Sequence, residues 1–185
     1  MSAPETLNLD DLAPVLVPDS LFQAGEWPGP HELLDVPGLG VTWVILKPQQ
    51  VKRWVDFDAQ RYWDRQGVAW MDRAIQNLRK HSEGSDLWTH EYRRDDGFVF
   101  AVAMMHPDGV GPSRILLKDQ LDRAFPDGYL VAVPERTCAL VLSARASDTE
   151  YSKIEGVVEE CFRIGTLPTV PGLHEPEGFQ RRRRR

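Results

Sequence analysis

The stretch Asp108-Gly109-Val110-Gly111-Pro112-Ser113-Arg114-Ile115-Leu116-Leu117, completed by Pro126-Asp127-Gly128-Tyr129-Leu130-Val131-Ala132-Val133-Pro134, decides the fold. Asp-Gly and Gly-Pro are turn dipeptides. Pro112 suits the first position of a helix, where its missing N–H would have no intrahelical partner anyway. The helix is expected to run to about Phe125, with Leu117, Leu121, Ala124 and Phe125 on one face. Pro126-Asp127-Gly128 then turns the chain, and Tyr129 to Val133 is a short apolar strand. The local order is strand, turn, helix, turn, strand.

Hairpins flank this unit. Residues 87–92 and 98–103 are β-rich runs on either side of Arg93-Arg94-Asp95-Asp96-Gly97, and Asp-Gly between two such runs is a hairpin signal. The strand at Tyr129 is followed by a second one over residues 137–143, with Pro134-Glu135-Arg136 as the tight link. Upstream, Gly40-Val41-Thr42-Trp43-Val44-Ile45-Leu46 has the β-branched and aromatic content of a strand. Val15-Leu16-Val17 is a shorter extended segment, ended by Pro18. Residues 23–40 carry Pro28, Pro30 and Pro37 with four glycines and are expected to be mostly loop. Residues 49–58 admit a further strand through Val51, Trp54, Val55 and Phe57.

Helical spacing takes over from Asp58. Met71, Ala74, Ile75 and Leu78 recur on one face, and the helix is expected to end near Lys80-His81. Gly67 divides it from a shorter helix through Tyr62-Trp63, and residues 82–86 form a polar linker. Ser147 or Asp148 is the N-cap of a last helix, with Ile154, Val157, Val158, Cys161 and Phe162 on its apolar face and Gly165 at its end.

Hairpins alternating with helices predict an α+β domain over residues 14–178. It is expected to hold one mainly antiparallel sheet of five or six strands, with about three helices packed on it. Residues 1–13 are expected to be a flexible arm and residues 179–185 a basic tail. An apolar fraction of 42% and six Trp suffice for a real core.

The chain carries 22 basic and 28 acidic residues, a formal net charge of -6. Five of the basic residues are the run Arg181, Arg182, Arg183, Arg184 and Arg185. Without them 17 basic residues face 28 acidic ones, so the body is distinctly acidic. This argues against a broad nucleic-acid face on the domain. Contact with RNA or an acidic membrane is confined to the arginine run, where it would be weak and salt-dependent. Cys138 and Cys161 are too few for a disulfide scaffold and read as buried free thiols. The N-terminus is acidic and polar, without the basic and apolar regions of a signal peptide. No run approaches the roughly 20 apolar residues of a membrane span. A cytoplasmic protein is therefore expected.

Several of these motifs together resemble the YtpQ-like family of bacterial proteins. They are Ala74-Ile75-Gln76-Asn77-Leu78, Asp108-Gly109 with Ser113-Arg114-Ile115-Leu116, Gly128-Tyr129-Leu130-Val131-Ala132-Val133-Pro134, and Gly165-Thr166-Leu167-Pro168. The similarity extends upstream to Val17-Pro18-Asp19-Ser20-Leu21-Phe22 and spans roughly residues 15–178. The chain departs from the family pattern at Val110 and Gly111, where an aromatic and an acidic residue follow Asp-Gly. The resemblance implies an α+β fold and a bacterial cytosolic setting, and it brings no activity.

The residues name no catalytic constellation. Ser113 near a helix start is first a cap, and a nucleophilic Ser needs a base within hydrogen-bond reach. Asp108 is expected to bond the backbone N–H two residues on. Arg114 is expected to pair with Asp108 or Asp119 at the surface. A functional reading of the same loop makes His106, Asp108, Gly109, Gly111, Ser113 and Arg114 an anion or ligand site, to which His90 would add a group from across the sheet. The histidines His31, His81, His90, His106 and His174 have no metal-ligand spacing, so no metal is expected. No phosphate-binding glycine loop is present and no cofactor is expected. Trp54 and Trp63 are the candidate exposed anchors for a protein partner. The favoured expectation is a non-enzymatic protein-binding or accessory module. The alternative is an enzyme of unknown class, or an anion-binding protein, with its site at the loop before the central helix.

Overall fold

In the computed structural model, residues 8–23, 25, 27–46, 52–83 and 87–180 are described. The first sheet is built around one strand. It comprises β1 (Leu12–Pro18), β2 (His31–Leu33), β3 (Leu39–Leu46) and β4 (Lys52–Trp54), with α1 (Ser20–Gln23) between β1 and β2. β1 runs antiparallel along β3 from Leu12 opposite Ile45 to Pro18 opposite Leu39. That leaves one edge of β3, which β2 takes at residues 40–42 and β4 at residues 44–46. Pro14 and Pro18 cannot donate to a ladder, which suits β1 to an edge position.

Two helices follow, α2 (Phe57–Arg65) and α3 (Trp70–Glu83). Asp56 caps α2 by accepting from the Ala59 N–H at 2.8 Å. Gly67, at φ 67°, supplies the left-handed turn between the two helices. α3 lies against β1, where the Asn77 side-chain amide donates to the carbonyls of Leu9 at 2.7 Å and Leu12 at 2.9 Å.

The second sheet has the order β5 (His90–Arg93), β6 (Val99–Met104), β8 (Cys138–Ser143), β7 (Tyr129–Glu135), all antiparallel. The turn between β5 and β6 places Gly97 at φ 88°. Between β6 and β7 lie a 3-10 turn (Gly111–Leu116) and α4 (Lys118–Ala124). α5 (Asp148–Ile164) opens on a capping box in which the Ser147 and Glu150 side chains bond each other's backbone N–H, and it ends at Gly165. The C-terminal segment then pairs with β7: Val131 and His174 exchange N–H to carbonyl bonds, both 2.8 Å.

Both faces of both sheets are covered. Leu16, Val41 and Trp43 from the first sheet share one core with Val102, Val131 and Val141 from the second, joined by Trp63, Trp70 and Ala74. α5 covers the other face of the second sheet, with Ile154 and Val158 packed against Leu140 and Leu142. Val15, Val17 and Val44 on the other face of the first sheet meet Phe22, Leu78 and Leu117. Double-sided burial explains why β3 and β8 are near-continuous apolar runs rather than alternating ones.

The α+β class and antiparallel pairing are as expected, and the domain differs from the expectation in detail. Eight strands among the described residues divide into two four-stranded sheets instead of one sheet of five or six. β2 and β4 have three residues each, too few to show a period. The arm is shorter than residues 1–13, because Leu9–Asp11 is a 3-10 turn and β1 already buries Leu12 and Ala13. α3 continues through Ser82, whose hydroxyl donates to the Leu78 carbonyl at 2.7 Å. At the other end, Phe179 is buried in a 3-10 turn (Pro176–Phe179) and belongs to the domain, not to a tail. The arginine run lies outside the described residues.

The central helix is the largest revision. It is broken at Leu117 (φ -86°, ψ 56°), with 3-10 geometry before the break and α-helix after it. Ile115 and Leu121 reach the core between the sheets, whereas Val110 and Leu117 reach the opposite face of the first sheet. One straight helix cannot present those residues to two separate cores. Ala124, expected inward, is exposed.

Candidate functional site

The loop between β6 and the 3-10 turn is held by its own backbone. Gly109 sits at φ 75°. Gly111 is pressed so closely on His106 that a Cβ there would lie 2.7 Å from the His106 nitrogen. Asp108 uses both carboxylate oxygens. Oδ1 accepts the Val110 N–H at 3.0 Å, the expected bond two residues on. Oδ2 accepts from Nη2 of Arg114 at 2.7 Å.

The burial of that pair was not expected. Arg114 is 1% exposed, so the pair does not lie at the surface. The 3-10 turn carrying it packs against α3, β1, β6 and β8. Asp108 satisfies only part of the guanidinium: Nε and Nη1 of Arg114 are buried and have no hydrogen-bond partner among the described residues. Burial opposes ionisation of Asp108. The Arg114 hydrogen bond, the Val110 N–H, and the charges of Arg114 and His106 outweigh it and hold the carboxyl below its ordinary value. The group is therefore a carboxylate at neutral pH, facing a guanidinium with donors to spare.

The other expected site residues are placed as follows. Ser113 is buried and is not a cap: the N-cap position is Val110, which has no side-chain cap bond. Among the described residues the Ser113 hydroxyl is hydrogen-bonded to no carboxylate or imidazole. Gly109 and Gly111 act through backbone shape. His90 on β5 packs edge-on to Tyr92, ring centroids 4.8 Å apart. Trp63 is 3% exposed and cannot anchor a partner. Its side of α2 turns inward with Ala59, and its ring packs on Trp70 at 5.7 Å. Trp54 is half-buried, edge-on to Trp27 at 5.0 Å.

A groove along α3 was not signalled by any sequence motif. One part, of about 880 Å³, is bounded by Leu9, Asp10, Val68, Asp72, Arg73 and Gln76. A second part, of about 450 Å³, is bounded by Asp72, Ile75, Gln76, Ile115, Leu116 and Phe179, among others. Asp72 and Gln76 belong to both, so the two parts adjoin across one turn of α3. Ile115 and Leu116 bring the groove to the residues immediately after Arg114. The available signal in the sequence was Gln76 beside Ile75, a polar residue next to an apolar one at the edge of the helix stripe.

Among the described residues, no three His, Cys, Asp or Glu side chains gather to hold a metal ion. None of the described helices is long and apolar enough to cross a membrane. No protein-family model, curated protein or solved structure matches the chain, so the YtpQ-like resemblance rests on the quoted motifs alone.

Proposed function

We propose that the protein is a non-enzymatic binding module that takes an extended peptide segment of a partner protein in the groove along α3. The observation that carries this reading is the junction of two open grooves at Asp72 and Gln76. The groove has apolar walls from Leu9, Val68, Ile75 and Ile115. Its lining carries both charge signs, with Asp10 and Asp72 acidic and Arg73 and Lys118 basic. Gln76 and Gln180 present amides that donate and accept at once, which suits the main chain of a peptide. The bacterial, cytosolic setting implied by the YtpQ-like motifs belongs to the same proposal.

The test is selection from a random peptide library on the full chain, followed by titration of the enriched peptides. Gln76→Trp fills the junction without touching the core. It should weaken the selected peptides by about tenfold or more, equal to about 1.4 kcal/mol. If no sequence is enriched, or if Gln76→Trp binds as wild type does, the reading is wrong.

A second reading is favoured by one specific observation, the two unpartnered donors of Arg114. Nε and Nη1 lie on different edges of the guanidinium, so each can donate a charge-assisted hydrogen bond to a separate oxygen acceptor. On this reading the loop with His106, Asp108, Gly109, Gly111, Ser113 and Arg114 admits a small anion.

A further inference from the structure

Three sulfur-bearing side chains line one groove at the face of the second sheet that α5 covers. Cys138 opens β8 and is buried. Side chains alternate along a strand, so Ala139 points into the core between the sheets and Cys138 toward α5. The β6–β8 ladder ends with Met104 opposite Ala139. Met105 is the next residue, just past the end of β6, and it lines the same groove as Cys138. Cys161 stands in the last turn of α5, where its carbonyl accepts from the Gly165 N–H, and it packs against the cluster that contains Cys138. Met105, Cys138 and Cys161 all line one open groove of about 450 Å³.

Both thiols are free. Burial first, then the neighbouring Cys161 and the charge of Glu135, push the Cys138 thiol above its ordinary pKa. Met105 is 50% exposed, so the groove opens to solvent beside its thioether. The Glu135 carboxylate, which lines the same groove, is engaged elsewhere. It accepts from the Thr137 N–H at 2.6 Å, from the Thr137 hydroxyl, and from the Leu167 N–H at 3.3 Å. The soft donors in the groove are the sulfurs of Met105, Cys138 and Cys161.

We propose that Met105, Cys138 and Cys161 form a binding site for a soft monovalent metal ion, Cu(I). Thiolate and thioether ligands select Cu(I), whereas hard cations require oxygen donors. A structural Zn(II) site requires four ligands of the Cys, His or carboxylate type, and this cluster offers two. Binding forms two Cu–thiolate bonds and one Cu–thioether contact. The two thiol protons leave to solvent and no electron moves. The bound site carries one net negative charge, and Glu135 and Arg136 line the same groove with charges of opposite sign. A coordinating metal deprotonates a thiol outright, so a raised thiol pKa reduces affinity without forbidding binding. The site shares no lining residue with the α3 groove, so it stands or falls independently of peptide binding.

The experiment supplies Cu(I) anaerobically to the full chain in competition with a chromogenic Cu(I) chelator. A single ion withheld per chain is expected, with a thiolate-to-copper charge-transfer band in the ultraviolet. Met105→Leu and Cys161→Ser each remove a direct ligand. Each should weaken retention by at least what an outer-shell partner is worth, about tenfold. Cys161 is only partly buried, so Cys161→Ser should keep the wild-type circular dichroism and melting. Zn(II) in the same format should not be retained. The proposal is overturned if the chelator strips the wild type completely, if Met105→Leu or Cys161→Ser retains Cu(I) as the wild type does, or if Zn(II) is held as tightly.

Discussion

Arg114 and Asp108 form an ion pair whose two halves differ in burial: the arginine side chain is 1% exposed and the aspartate side chain 34%. The pair therefore is not a surface bridge worth about 0–1 kcal/mol. Removing the carboxylate strands a buried cation, whereas removing the cation leaves a carboxylate that water can reach. Breaking a fully buried pair costs about 3–5 kcal/mol, and Asp108→Ala should cost less than that, about 2–3 kcal/mol, because water relieves part of the loss. Arg114→Met keeps much of the side-chain volume, removes the charge, and should be the milder change. Urea denaturation of both variants decides the matter. A larger loss for Arg114→Met than for Asp108→Ala would show that the guanidinium, not its partner, holds the loop.

Anion binding at Arg114 makes a separate prediction. A ligand that binds only the folded state stabilises it by RT ln(1 + [L]/Kd), about 2.7 kcal/mol at 100 times Kd. Inorganic phosphate or sulfate should raise the melting temperature of the wild type beyond the effect of chloride at equal ionic strength, and Arg114→Met should abolish the difference. Equal shifts in both proteins would mean general salt stabilisation and no site.

Glu150 is one of the carboxyls whose depressed pKa makes the domain acid-sensitive. The Arg94 guanidinium bonds both of its oxygens, Nε to Oε1 and Nη2 to Oε2, each at 2.6 Å. That contact comes first. Burial opposes it and the Ser147 N–H and hydroxyl assist it, and the carboxyl is held at about 2. The ordinary value of a glutamate is about 4.3. A carboxyl whose folded pKa is depressed contributes fully above the unfolded value, and the contribution is lost as pH falls through the folded one. The loss therefore falls between about pH 4 and about pH 2, the latter being the held value. Asp108, also depressed, acts in the same sense. Arg94→Leu should raise the Glu150 pKa in a carboxyl NMR titration and move acid unfolding to higher pH. A Glu150 titration unchanged by Arg94→Leu would assign the shift to the Ser147 cap instead.

How legible these features were follows from how local their causes are. The Ser147 cap, the Gly67 break between α2 and α3, and the Asp-Gly hairpin at Asp96-Gly97 each depend on a few consecutive residues, and all three form where the residues indicated. The Asp108 bond to Val110 spans two residues and was equally readable. The burial of Arg114 depends on α3, β1, β6 and β8 closing around it, and no spacing within residues 108–117 encodes that. Trp63 was misplaced for the same reason: its burial is decided by Trp70 and the shared core, not by its neighbours in the chain. The α3 groove and the sulfur cluster both join segments far apart in sequence, so neither left a motif.

Two glycines test whether the loop before the 3-10 turn is as tight as its geometry. Gly111 faces the His106 backbone, where an added Cβ would lie 2.7 Å from the nitrogen and 3.3 Å from the oxygen. Backbone atoms cannot swing aside as a side-chain end can, so Gly111→Ala must move the loop. Overpacking of this kind costs about 1–3 kcal/mol. Because residues 106 and 108 move with the loop, the Asp108 bond to Arg114 should weaken too, and the cost should shrink in an Asp108→Ala background. Gly156 is the control. It lies on the exposed side of α5, and nothing stands within 4 Å of an added Cβ. Replacing a helix-interior glycine by alanine there should stabilise the domain by about 0.8–1.0 kcal/mol. Chemical denaturation should therefore place Gly111→Ala below the wild type and Gly156→Ala above it. A Gly111→Ala variant as stable as the wild type would mean that the loop relaxes freely, and a loop that relaxes freely could not hold Arg114 in a fixed position for either a carboxylate or an anion.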